Sequence, residues 1–174
     1  MLFVATQVVT LWFARRNRQL DIKRAVAGIY REISDNHKNS ASALTNKGIV
    51  DAIKTKLLVH EAAAKGTNQR PFHRPFVIVT ESSDFYSSVS MHVTSLHVEC
   101  LVAIRDYYRD VADQHLFAKA IEGEAYLTLS VESKCGTMDD LWKAFEESHR
   151  HGQAALDALE KRYPKWCKSP KVKP

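Results

Sequence analysis

The sequence is poor in cysteine and in compact chemical motifs, and both shortages narrow what the chain can be. Its three cysteines, Cys100, Cys135 and Cys167, are odd in number, far apart and free of any CxxC pair. That pattern excludes a disulfide framework and a cysteine-based zinc site, and it suits a reducing compartment. No GxGxxG, GxxxxGK[ST], HExxH or GxSxG occurs, so the strong signatures of dinucleotide, nucleotide, zinc-protease and serine-hydrolase chemistry are missing. A second strand-like run is also lacking. The stretch 76–80, FVIVT, is β-branched and apolar but has nothing to pair with, and it reads as an extended segment or a lone edge strand.

What the chain does have is one charge-free apolar run. Residues 1–14 carry no ionisable side chain and lead directly into Arg15, Arg16 and Arg18, with Lys23 and Arg24 beyond. Basic residues after an apolar run fit the positive-inside bias, and no Lys or Arg precedes the run as a secretory signal would require. The expectation is a membrane-anchor helix over residues 1–18, single-pass in a cell inner membrane, with the N-terminus out and the remaining chain cytoplasmic. Trp12, Arg15, Arg16, Arg18 and Arg24 are then the membrane-interface residues, and membrane lipid is a partner. A span needs about 20 apolar residues, which makes a buried or surface-lying first helix the competing reading. Thr6, Gln7, Thr10, Ala14 and Asn17 form one polar and small stripe on a helical projection, a face suited to a homo-oligomer through that helix.

At 174 residues the chain has room for a single core after this segment. Ile22, Val26, Ile29 and Ile33 recur at helical spacing until Asn36, His37 and Ser40 end the apolar seam, and Asn46-Lys47-Gly48 breaks the helix. A second helix follows from Ile49 through Leu57 and Leu58 and on through the helix formers at 61–65 to a Gly66 cap. The loop GTNQRPFHRP at 66–75 cannot be helical because of Pro71 and Pro75. Ser82 or Ser83 is placed to cap a short helix from Asp84. The longest helical signal runs from Thr94 to about Lys134, with Gly123 a weak point. Cys135-Gly136 marks its end, and Thr137-Met-Asp-Asp140 resembles a capping box opening a last helix that Pro164 stops.

The expected fold is mainly α: the anchor helix, then an antiparallel bundle of three or four helices with at most one short strand. The expected domains are 1–18, the anchor and basic collar; 19–164, the bundle; and 165–174, a basic disordered tail.

Candidate chemistry is thin. Glu146 and His149 make one Glu-x-x-His, half of a di-iron bundle's ligand set, but no second copy exists. His97 and Cys100, three apart, are placed as packing residues, and His149-Arg150-His151 reads as an exposed basic cluster. Of Tyr107 and Tyr108, the second is expected in the core and the first at its edge. No catalytic, metal or cofactor residue is assigned and no small-molecule substrate is evident. The order of anchor, Arg-rich collar, Tyr30-Arg-Glu-Ile33, FVIVTESSDFY and VAIRDYYRD is similar to small single-pass helical proteins of bacteria, and the resemblance implies topology alone. The expected function is a membrane-tethered, non-enzymatic interaction or scaffold module with an unknown protein partner. The alternative is a soluble helical partner- or nucleic-acid-binding protein that oligomerises through its apolar first helix.

Overall fold

The computed structural model describes residues 2–45, 47–64, 79 and 81–167. These form six helices: α1 (Leu2–Leu44), α2 (Lys47–Ala64), α3 (Asp84–Val93), α4 (Val98–Glu122), α5 (Glu124–Thr128) and α6 (Val131–Arg162). No strand occurs among the described residues, so the mainly α expectation holds. Of FVIVT only Val79 is described, without regular structure, and the loop over 66–75 lies outside the described residues.

The membrane expectation does not hold. Among the described residues no helix is long and apolar enough to cross a membrane, which removes the single-pass anchor and the inner-membrane placement built on it. The physical reason is length: fourteen charge-free residues rise about 21 Å against a hydrocarbon core of about 30 Å. Within the described residues, the 18-residue window that starts at Leu2 already takes in Arg15, Arg16 and Arg18. The helix does not stop at this collar but runs unbroken to Leu44.

α6 packs along α4 and α1, with α3 on α1 and α2 on α6. Two apolar clusters result. One joins Val26, Ile29 and Ile33 of α1 to Ile104 and Val111 of α4 and to Ala155 and Leu159 of α6. The other gathers Leu57, Ile121, Tyr126, Met138, Leu141 and Phe145. Each follows from apolar residues three or four apart along a helix, which share one face.

The helix boundaries differ from expectation at the starts of α2 and α4, Lys47 and Val98 instead of Ile49 and Thr94, and most of all between α4 and α6. Gly123, in extended conformation, ends α4, and the chain breaks again at Leu129-Ser130. The last helix therefore starts at Val131, where the Ser130 hydroxyl accepts from the Ser133 N–H at 3.2 Å. Cys135 and Gly136 lie inside α6 and end nothing. A serine cap satisfies an otherwise orphaned N–H, a gain of the same order as the cost of about 1 kcal/mol for a mid-helix glycine. Beyond α6, Pro164 to Cys167 turn back, stacking Trp166 on Tyr163 and burying Cys167 in the first cluster.

Candidate functional site

Between the two apolar clusters the helices bury polar side chains. Asn36 and Ser40 of α1, Asp110 and Gln114 of α4 and Ser148 of α6 are all buried. Asn36 and Ser40 continue the seam of Val26, Ile29 and Ile33 at helical spacing, so the seam changes chemistry where it was expected to end. Burying such groups is costly unless they are hydrogen-bonded, and most of them are.

Two residues of α1 grip the entry to α3. Asn36 holds the Ser82 backbone from both sides, its amide donating to the carbonyl at 2.7 Å and its oxygen accepting the N–H at 3.1 Å. One turn earlier, the Glu32 carboxylate accepts the N–H groups of Phe85 at 2.8 Å and Tyr86 at 3.2 Å and also accepts the Tyr108 hydroxyl. The α3 N-terminus is thus capped from another helix. Ser83 at the N-cap position makes no side-chain cap, and the Ser82 hydroxyl accepts the Asp84 N–H at 3.1 Å and donates to Glu32 at 3.4 Å. Acidic groups at helix N-termini complement both the orphan N–H groups and the dipole. From α4, the His115 imidazole bonds the Glu81 carbonyl at 2.9 Å.

Of His149-Arg150-His151, expected as an exposed cluster, Arg150 is exposed, while the half-buried His149 and His151 join the layer. His151 is engaged through Nδ1 by the buried Asp110 carboxylate. His149 stacks on His37 of α1 with ring centroids 4.0 Å apart and 14° between planes. Its Nδ1 lies 3.1 Å from Ser40 Oγ, and the Ser40 hydroxyl donates to the His37 carbonyl at 3.0 Å. With that proton committed, Ser40 can only accept, which assigns the His149 proton to Nδ1. Gly152 makes room for the stack. A Cβ there would sit 3.2 Å from Tyr107 and 3.3 Å from His37.

His37 Nε2, the Tyr107 hydroxyl and Gln114 Oε1 are buried without a well-formed hydrogen bond to any described residue. Burial holds the His37 pKa below its usual value, with the neighbouring His149 acting in the same direction. Burial also pushes the Tyr107 hydroxyl far up, although the Asn36 side chain pulls the other way. Both Tyr107 and Tyr108 are buried, so neither lies at an edge.

The arrangement resembles a base and its orienting carboxylate, with His151 held by Asp110. Ser148, one turn earlier, donates its hydroxyl to the Phe145 carbonyl and accepts from Gln114, so it is no activated nucleophile. Glu146 accepts from the Trp142 indole at 2.8 Å while His149 turns to α1, and the structure does not bring the two together. Cys100 donates to the Ala158 carbonyl, apart from the His97 ring. Among the described residues no group of three or more potential ligands is placed to hold a metal ion. A polar layer between two apolar clusters fixes the register of α1, α4 and α6, since sliding any helix by one turn strands buried charge against apolar side chains.

The residues expected at a membrane interface lie away from this layer. Trp12, Arg15, Arg16, Arg18 and Arg24 are exposed along the first half of α1. The Arg16 guanidinium sits 5.3 Å from the Trp12 ring centre, Arg18 reaches Ser95 at 3.4 Å, and Arg24 pairs with Asp21 at 3.9 Å. No protein-family model matches the chain, and no curated protein or solved structure matches it.

Proposed function

We propose that the chain is a non-enzymatic interaction module, an antiparallel helical arrangement in which α1 and α4 run opposite to α6, and that it pairs with a second copy of itself through the first part of α1. The helix directions are supported by the order of contacts: Cys100 meets Ala158 and Gln114 meets Ser148, while Tyr30 meets Glu160 and Ser40 meets His149.

The observation that carries the pairing is the exposure of Leu11, Trp12 and Phe13, at 64%, 54% and 52%. Every side chain from Thr10 to Leu20 is exposed, with Arg18 reaching Ser95 at 3.4 Å. A helix that is apolar at consecutive positions is one that belongs in an enclosed setting. Covering such side chains contributes about 1.5–3 kcal/mol each, and an uncovered apolar stretch marks an interaction site.

A second copy fits better than a foreign protein because residues 2–14 carry no charge that would select one. The arginines then set orientation. Antiparallel pairing places the two collars about 20 Å apart, beyond the Debye length of about 8 Å, whereas parallel pairing crowds six guanidinium groups together. Light-scattering mass on the full chain tests this. At about 50 μM the wild type is expected at twice the chain mass and Leu11→Ser/Trp12→Ser/Phe13→Ser at one. A wild type of single chain mass would sink the proposal.

A further inference from the structure

The two basic segments at opposite ends of the sequence meet at one end of the molecule. Ile22 and Val26 of α1 share a cluster with Leu159, Tyr163, Trp166 and Cys167, and Arg18 reaches the turn between α3 and α4. Residues 15–24, with five cations and one carboxylate, therefore lie at the same end as Arg162 and Lys165. That one carboxylate, Asp21, faces Arg24, and nearby Glu160 accepts the Tyr30 hydroxyl. Arg15, Arg16, Arg18, Lys23, Arg162 and Lys165 form no ion pair with any described residue.

This end also carries aromatic surface. The Tyr163 and Trp166 rings stack at 5.0 Å with 10° between planes. Together with Arg162, Pro164 and Lys165 they line a concavity of about 370 Å³.

We infer that this basic end docks a single-stranded nucleic acid, with phosphates along residues 15–24 and an unpaired base in the concavity of Tyr163 and Trp166 between Arg162 and Lys165. Free cations along roughly 14 Å of helix match a phosphate backbone. Aromatic rings beside them are what separates the possible polyanions. A duplex keeps its bases stacked inside and an acidic peptide has no base, so only a single strand uses both the charge and the rings. The inference does not depend on self-association, because Leu11 and Phe13 take no part in it.

The test is fluorescence anisotropy of a labelled oligothymidylate of about 20 nucleotides with the full chain. Micromolar binding at about 50 mM salt is expected to weaken about 100-fold by 200 mM, the slope for about five phosphates on a single strand. Arg162→Ser/Lys165→Ser and Arg15→Ser/Arg16→Ser/Arg18→Ser should each lose at least about 10-fold in affinity with unchanged melting curves, because these side chains are exposed. Leu11→Ser/Phe13→Ser, which leaves the Trp12 ring under Arg16, should bind as the wild type does. No binding at about 100 μM protein, equal binding of polyglutamate or of a duplex, or binding to phosphatidylserine vesicles alone would each overturn the inference. A loss confined to one of the two charge variants would overturn the idea of a single surface.

Discussion

Phe85 of α3 lies against the α-carbon of Gly28 in α1. A Cβ on Gly28 would fall 2.0 Å from Phe85 Cζ and 2.1 Å from Cε1, well inside contact distance. The ring cannot retreat freely, since its own N–H is held by Glu32 one turn along α1. Gly28→Ala gains about 1 kcal/mol of helix propensity but forces overpacking, for a net loss of about 1–3 kcal/mol. Gly136, exposed within α6 with nothing within 4 Å of its Cβ position, should behave oppositely: Gly136→Ala stabilises by about 0.5–1 kcal/mol. Urea midpoints check both, and a Gly28→Ala midpoint at or above the wild type would contradict the contact.

Glu32→Ala removes the cap from α3 and leaves the buried Tyr108 hydroxyl without its acceptor. Cap loss costs about 0.5–2 kcal/mol and an unsatisfied buried hydroxyl about 1–3, so a total near 2–4 kcal/mol is expected in urea unfolding. Amide exchange at Phe85 and Tyr86 should accelerate more than exchange elsewhere in α3. A loss below about 0.5 kcal/mol would show that Glu32 does not hold the helix.

Little of that interaction was legible in the sequence, and the reason is physical. Ile22, Val26, Ile29 and Ile33 announced a buried face because apolar side chains at helical spacing have few other uses. Asn36, Ser40, Asp110, Gln114 and Ser148 are buried in the same way, yet their polarity argues for solvent until their partners on other helices are known. His149 and His151 were misjudged for that reason, their partners lying on α1 and α4. Pro164 did mark the end of α6 at Arg162, because its fixed φ and missing N–H act locally, whereas Lys47 and Gly48 open α2 just after α1 ends at Leu44. Thr137-x-x-Asp140 misled as a cap, since Ser130-x-x-Ser133 performs that role seven residues earlier. The apolar run at the start was legible as unusual, but its length alone could not say what covers it.

The His37 and His149 stack makes stability fall in mild acid. Burial and His149 hold the His37 pKa below its unfolded value of about 6.5, so the folded state binds fewer protons than the unfolded chain. The contribution is complete above about pH 6.5 and declines as pH falls below it. Urea midpoints should therefore drop between pH 7 and pH 5. In His37→Gln part of that drop should vanish, and an unchanged pH profile would contradict the role of His37.

Alkaline titration should show a deficit of tyrosinate in the native protein. Tyr30 is raised to about 12, first by its hydrogen bond to Glu160. Tyr126 is raised to about 12 by burial, and Tyr107 and Tyr108 further still. A phenol whose folded pKa lies above about 10 stabilises below that pH and loses the contribution as pH rises through its folded value. Absorbance at 295 nm and about pH 11 should fall short of the chain in guanidinium by most of four tyrosines. Full ionisation at that pH while the helical circular dichroism persists would contradict the burial of Tyr107 and Tyr108.

The exposed start of α1 is central to the proposed function, and Trp12 reports on it directly. In a chain with Trp142→Phe and Trp166→Phe, Trp12 is the sole indole, and its emission is followed as protein concentration rises from about 1 to 100 μM. Pairing through this segment predicts a shift to shorter wavelength along one binding curve, abolished by Leu11→Ser/Phe13→Ser. Emission fixed at the wavelength of a solvated indole across the whole range would contradict it.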